Sequence, residues 1–275
     1  MKNVNTISQV LFDKNNAEKT VPIIKNKIEN WIEDLFAWLF YGQGKCKSIE
    51  LFQQKEKELN NELQFFIAQV GVLKGIALSD AFFKDLLDIH QDLLADLDAI
   101  LEFDPAAKSK HEVLLAYPGF FTIAVYRIAN NLWNKDIVIV PRVISEYAHG
   151  KTGIDNHPGA TIGKRFFIDH GTGIVIGETA ILGNDIKIYQ GVTLGALSVS
   201  KDKAEIKRHP TIEDNVIIYA NATILGGNTI IGRGSIIGGN VWITESIQSQ
   251  TVVFHKSEIV VKSKNKFPNP INFSI

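Results

Sequence analysis

GATIGKRFFIDHGTGIVIGETAILGNDIKIYQGV, residues 159–192, carries an aliphatic residue at every sixth position: Ile162, Ile168, Ile174, Ala180, Ile186 and Val192. The series resumes in a shifted frame as Ile212, Ile218, Ile224, Ile230, Ile236 and Trp242. Eleven of these twelve residues are apolar and non-aromatic and one is tryptophan, too regular for chance even in a stretch rich in isoleucine and glycine. The residue two places earlier is often small, as at Ala160, Thr172, Ala222 and Gly234. A period of six fits neither a 3.6-residue helix nor one alternating strand. It fits triangular coils of about eighteen residues, with one short strand and one turn per side and the repeated residue stacked along the coil axis. A hexapeptide-repeat parallel β-helix is therefore predicted.

The break between Val192 and Ile212 spans twenty residues, two more than three repeats need. Within it, 196–209 (ALSVSKDKAEIKRH) is polar and charged and reads as a loop pushed out of the coil. Upstream of residue 150 the period is helical. Ile24, Ile28, Trp31, Ile32, Leu35, Phe36 and Leu39 mark a helix over 20–41 that stops near Gly42 and Gly44. Further helices are expected over 47–72, over 78–102 with Ser79 as N-cap, and over 109–115, 120–134 and 138–148. Asp104-Pro105 breaks the pattern, and Gly119 interrupts it lightly. The fold class is α+β: an α-helical domain over 1–150, a β-helix domain over 151–257 and a flexible tail over 258–275.

The 275 residues are 45% hydrophobic and 21% charged, an ordinary globular composition with room for two cores. A net charge of −1 gives no electrostatic case for nucleic acid or an acidic membrane surface. The single cysteine, Cys46, fits a reducing compartment. The polar start lacks a signal-peptide core, and no apolar run has the length of a membrane span, so a cytoplasmic protein is expected. There is no G-x-S-x-G elbow and no nucleotide-binding glycine motif.

Three clusters can carry chemistry: Asp155-Asn156-His157-Pro158, then Asp169-His170-Gly171 with Gly177-Glu178-Thr179, then Arg208-His209-Pro210. Asp155 and His170 are less than one coil apart, so they are expected on adjoining coils near one corner. A carboxylate on one imidazole nitrogen fixes the tautomer and frees the other to take a proton from a hydroxyl. That suits direct attack of an alcohol on a thioester, without an acyl-enzyme.

The run TGIDNHPGATIG…FIDHGTGIVIGETAILGNDIKIYQGVTLGA…KRHPTIEDNVIIYANATILGG resembles the core of the serine acetyltransferases, and LEFDPAA…LLAYPGFFTIAVYRIANNLW resembles their helical part. The resemblance covers roughly residues 95–245. It implies left-handed winding and acetyl transfer from acetyl-CoA, the co-substrate, to the hydroxyl of L-serine, for cysteine biosynthesis, with no permanently bound cofactor and no metal. His170 would be the base and Asp155 its partner. Asp104 and Asp169 would receive the amino group, and Arg208 the carboxylate, with His209 also on serine. Gly195, Ala196 and Ala220 would line the acetyl-CoA groove. Glu178 and Gln190 match the pattern without a defined role. The family's site lies between subunits, so a homotrimer is implied, alone or paired through the helices into a hexamer. A terminal Ile275 would be the handle for O-acetylserine sulfhydrylase.

Three features depart from the pattern: Asn156 in a usually aliphatic slot, Ala196 in place of a second glycine, and a longer loop after it. A solenoid acyltransferase for a sugar hydroxyl or amine remains an alternative, argued against by Asp104 and the helical half. A zinc hydratase of the γ-carbonic anhydrase type needs three converging histidines, and the spacing of His157, His170 and His209 shows no close pair. A scaffold without catalysis fits poorly with the intact DH and RH clusters.

Overall fold

The computed structural model describes residues 6–17, 25–45, 48–197 and 206–256. Cys46, the interior of the inserted loop and the tail with Ile275 lie outside the described residues. Among the described residues seven helices come first: α1 (Ile7–Ala17), α2 (Lys25–Lys45), α3 (Ile49–Gln69), α4 (Gly75–Phe103), α5 (Lys110–Ala116), α6 (Pro118–Trp133) and α7 (Val140–Thr152). α2 runs through Gly42 and Gly44, because glycine ends a helix only where the backbone turns left-handed. Ser79 is no N-cap. It lies inside α4, which follows Lys74 at φ 65°, and its buried hydroxyl donates to the Asn60 carbonyl at 3.2 Å. Of the predicted apolar stripe of α2, Ile28, Trp31, Ile32, Leu35 and Phe36 are buried, Leu39 is half-buried and Ile24 lies outside the described residues; Trp31 packs on Phe66 and Phe82, and its Nε1–H donates to the Leu59 carbonyl at 3.0 Å. No single described helix is long and apolar enough to cross a membrane.

From Asp155 the chain winds into a left-handed parallel β-helix of about five turns with three faces. Face 1 stacks β1 (Asp155–Asn156), β4 (Val175–Ile176), β7 (Thr193–Gly195), β10 (Thr223–Leu225) and β13 (Trp242–Ile243). Face 2 stacks β2 (Thr161–Ile162), β5 (Ile181–Leu182), β8 (Thr211–Ile212) and β11 (Ile230–Ile231). Face 3 stacks β3 (Phe167–Asp169), β6 (Lys187–Tyr189), β9 (Ile217–Ile218), β12 (Ile236–Ile237) and β14 (Val252–Val253).

The period of six is real, but its inward frame differs from the predicted one. The strand residues facing the axis are Ile162, Ile168, Ile176, Leu182, Ile188, Leu194, Ile212, Ile218, Ile224, Ile231, Ile237 and Ile243, all buried. Ile174, Ala180, Ile186 and Val192 are buried too, two places ahead of these, in the slot for the accompanying residue. Ile230, Ile236 and Trp242 sit beside the inward positions instead, with Ile230 43% and Trp242 69% exposed. Extra residues cause each slip. Eight positions separate Ile168 from Ile176, and seven separate Ile224 from Ile231. Successive face-1 strands are therefore twenty, eighteen, thirty and nineteen residues apart (Asp155↔Val175, Val175↔Thr193, Thr193↔Thr223, Thr223↔Trp242) rather than a uniform eighteen. The step of thirty contains the inserted loop. Asn156 takes the first inward position, buried, with neither amide atom hydrogen-bonded among the described residues.

A buried ion pair joins helices to solenoid. Arg127 on α6 donates from Nε and Nη2 to the Asp96 carboxylate on α4 at 2.5 and 2.8 Å, and from Nη2 to the Gly163 carbonyl at 2.8 Å. Asp96 also accepts the Phe166 N–H at 2.9 Å, and the Tyr126 hydroxyl donates to the Ala160 carbonyl at 2.6 Å. The first coil is thereby held against α4, which ends at Asp104, and α6, which begins just after Tyr117.

Candidate active site

The two edges flanking face 1 carry the candidate residues. At the edge from face 3 to face 1, the two extra residues of the first coil fall at His170-Gly171, with φ of 57° and 86°. Consecutive left-handed residues make a bulge, a backbone state that glycine adopts freely and histidine rarely. The bulge lifts the His170 side chain out of the wall, leaving it 69% exposed, with Nδ1 3.6 Å from the Asp169 carboxylate. Asp104, the C-cap residue of α4, lies in the same cluster. It accepts the Tyr117 hydroxyl at 2.7 Å and the Ala106 N–H at 2.8 Å. Burial and then the Asp104 carboxylate push the Tyr117 phenol up to about 12, with Asp169 adding a smaller push. Tyr189, stacked on Tyr219 with ring centres 5.0 Å apart, is raised by burial and then by Asp169, Tyr219 and Asp104. Sequence reading found Asp104, Asp169 and His170 but missed Tyr117 and Tyr189. An isolated tyrosine has no local signature, and only the fold brings these two near Asp104 and Asp169.

At the edge from face 1 to face 2, successive coils present His157, then Glu178-Thr179, then Arg208-His209. Arg208 is ion-paired with Glu178, which supplies the contact that the sequence left undefined. The His157 ring meets Trp133 edge-on at 5.3 Å, and its Nδ1 accepts the Gly159 N–H at 3.0 Å. His209 Nδ1 accepts the Thr179 N–H at 3.1 Å. Burial first, then Arg142 for His157 and Arg208 for His209, hold both imidazoles down to about 4.

Asp155 joins neither edge cluster directly. It stands on face 1 beside Glu146 and His149 of α7, near enough for one donor atom of each to lie within 4.8 Å of the others. Burial raises its carboxyl above the ordinary range, against the pull of His149. Among the described residues no hydrogen bond or ion pair joins Asp155 to His170, and Asp169 is the carboxylate paired with that ring. The predicted Asp155–His170 contact is thus not made within one chain. The acetyl-CoA residues divide in the same way. Gly195 and Ala196 adjoin the loop edge, where the Gly195 carbonyl accepts the Gly226 N–H at 3.1 Å. Ala220 lies on the His170 edge, stacked above Gln190 and Thr172 through the bonds Asn221 N–H to Gln190 O (2.9 Å) and Gly191 N–H to Thr172 O (3.0 Å). Nor do the three histidines of the zinc reading converge within one chain: His157 and His209 share one edge and His170 stands on the other.

No protein-family model matches the chain. It is 48% identical over 193 residues to a serine acetyltransferase of Synechococcus elongatus (the plasmid form), which covers 68% of this chain and 59% of that protein, less than two thirds of its length. It is 44% identical over 180 residues to the serine acetyltransferase of Bacillus licheniformis, covering 66% of this chain and 82% of that protein. The chain belongs to the serine acetyltransferase family. The fold agrees: the crystal structure of serine acetyltransferase isoform 3 from Entamoeba histolytica, in complex with cysteine, superposes with a TM-score of 0.76 at 34% identity over 86% of this chain and 84% of that one. Within a serine acetyltransferase the two edge clusters have complementary chemistry. One offers carboxylates and an exposed imidazole, the other a guanidinium and imidazole N–H donors.

The two depressed imidazoles set a pH dependence of stability. An unfolded histidine titrates near pH 6.5, whereas these two titrate at about 4 in the fold. The unfolded chain therefore binds more protons below about pH 6.5, and the stability held by the neutral rings, complete above that value, is lost as pH falls toward 4. The thermal midpoint should decline from pH 7 to pH 4.5, and the double variant His157→Gln, His209→Gln should decline less steeply. An equal slope in both would assign the acid loss to other groups.

Proposed function

We propose that the protein transfers the acetyl group of acetyl-CoA to the hydroxyl of L-serine, in a site assembled from two copies of the chain. One copy contributes Asp104, Asp169 and His170, and its neighbour contributes Asp155, Arg208 and His209. The observation that carries this reading is the placement of complementary half-sites on different edges of one solenoid, which a closed cyclic oligomer brings together. The carboxylates of Asp104 and Asp169 suit the serine ammonium, and the forked Arg208 guanidinium suits its carboxylate. His170 Nε2 takes the hydroxyl proton as Oγ attacks the thioester carbonyl. The C–S bond breaks, and the departing CoA thiolate recovers that proton from the imidazolium. Asp155 of the neighbour orients the ring and stabilises its charged form. Acetyl-CoA would lie between neighbouring solenoids, against Gly195 and Ala196 of one and Ala220 of the other.

Release of free CoA from acetyl-CoA tests the reaction, with L-serine compared against other amino acids, sugars and amines. Serine-dependent release is expected, and release with a sugar alone would move the assignment to another acyltransferase. Subunit mixing tests the shared site. Inactive His170→Ala and inactive Arg208→Ala chains, unfolded together and refolded at equal ratio, should regain activity, because roughly a quarter of the sites in a cyclic assembly then draw an intact half from each chain. No recovery would confine each site to one chain.

A further inference from the structure

We propose that Thr179 is the positioning residue that makes His209 a permanent hydrogen-bond donor, with its Nε2–H as the atom offered to the amino-acid carboxylate; the choice of ligand rests on the serine-acetylating reading above. Thr179 stands one coil before His209 on the same edge, and its polar atoms all engage the returning end of the inserted loop. Its Oγ1 accepts the backbone N–H of Arg208 at 2.9 Å and of His209 at 3.1 Å. Its carbonyl accepts Lys207 Nζ at 3.1 Å. Its own N–H donates to His209 Nδ1 at 3.1 Å, and Oγ1 is 2.9 Å from the same nitrogen.

The proton count decides the tautomer. A threonine hydroxyl has one proton and two lone pairs. The two backbone amides occupy the lone pairs, so the proton is directed to Nδ1. Nδ1 then faces two donors, one of them a backbone N–H that cannot rotate away. A proton on Nδ1 would oppose both, so the ring proton resides on Nε2. Gly177 holds the ring in place: a Cβ there would stand 2.0 Å from His209 Cδ2, so no side chain fits between ring and backbone. With its Nε2 protonated and its Nδ1 engaged, His209 has no free lone pair with which to act as a base. The imidazoles on the two edges therefore differ in kind, His170 accepting a proton and His209 only donating a hydrogen bond. The lock is built from residues twenty-nine and thirty positions apart, Thr179 with Arg208 and His209.

The test is the ¹⁵N spectrum of histidine-labelled protein, with the His209 signals assigned by His209→Gln, together with serine kinetics. In the wild type, Nδ1 should be unprotonated and Nε2 protonated at pH 7. Thr179→Val keeps the backbone N–H but removes the hydroxyl and strands two amides. Its ring should exchange between tautomers and titrate at higher pH. Its KM for serine should rise about tenfold, as for one lost or unsatisfied hydrogen bond, with a smaller change in kcat. Thr179→Ser should restore both the spectrum and KM. A wild-type ring protonated at Nδ1 overturns the proposal, and that spectrum decides the matter should Thr179→Val not fold. An unchanged spectrum and KM in Thr179→Val also overturn it. A locked tautomer in a protein with no serine-dependent turnover upholds Thr179 as the lock and overturns the carboxylate assignment, separating failure of the serine reading from failure of the lock.

Discussion

His170→Ala should lower kcat by about 10² to 10⁴, the range expected when a positioned general base is removed. The magnitude follows from the task, since a serine hydroxyl is a poor nucleophile until its proton has somewhere to go as the C–O bond forms. In the proposed reaction His170 is the group that accepts it. Two consecutive left-handed residues push its side chain out of the wall, and Asp169 lies at 3.6 Å. The coil core beneath loses no contact when so exposed a side chain is truncated, so thermal stability and the KM for acetyl-CoA should stay close to wild type. Steady-state kinetics and thermal unfolding together check all three. A variant retaining more than a tenth of kcat would point to another base, and a collapsed thermal midpoint would show that the loss is structural.

Asp96→Ala should destabilise the fold by about 3–5 kcal/mol, the cost of leaving one partner of a buried ion pair uncompensated. Asp96 is fully buried and Arg127 nearly so. Truncation strands the guanidinium and removes the acceptor of the Phe166 N–H at the corner before β3. A midpoint shift on the order of 10 °C follows for a chain of this size. Replacing Asp96 and Arg127 together by leucine should cost less than Asp96→Ala, since no charge then remains buried, although the Gly163 carbonyl and Phe166 N–H still lose their partners. Urea unfolding of the single and double variants measures both terms. If Asp96→Ala matched the wild type, the pair would be no structural bolt. The bolt also bears on function, because α4 ends at Asp104 and the first coil carries Asp169. Any Asp96→Ala protein that still folds should show a raised KM for serine with little change in the KM for acetyl-CoA.

Much of this architecture can be read from local pattern. A six-residue period is a property of neighbouring residues, and each short strand with its turn is set by those residues. The solenoid, the break in its period after Val192 and the helical half were therefore all legible. The clusters around Asp155, His170 and Arg208 stood out because reactive side chains gathered beside glycine turns have few structural uses. The inward frame was not legible. Ile230 and Ile236 are as aliphatic as Ile231 and Ile237, so counting apolar residues cannot say which of two neighbours faces the axis. That depends on where the coil absorbs an extra residue, here at His170-Gly171 and at Gly226-Gly227, and strand pairing is what decides it. Ser79 failed as a cap for a related reason. The serine type suits a helix start, but the residue is itself buried where α3 offers Asn60 as a partner. The sequence by itself determined the solenoid, the family and the types of residue available for catalysis, because these rest on short-range periodicity and on motifs only a few residues long. Tertiary structure alone decided which side chains meet: Asp104 with Tyr117, Arg208 with Glu178, His209 with Thr179, and Asp155 with the α7 residues Glu146 and His149 and not with His170. Those meetings depend on how successive coils and helices stack, a relation between residues far apart in the chain that no local pattern encodes.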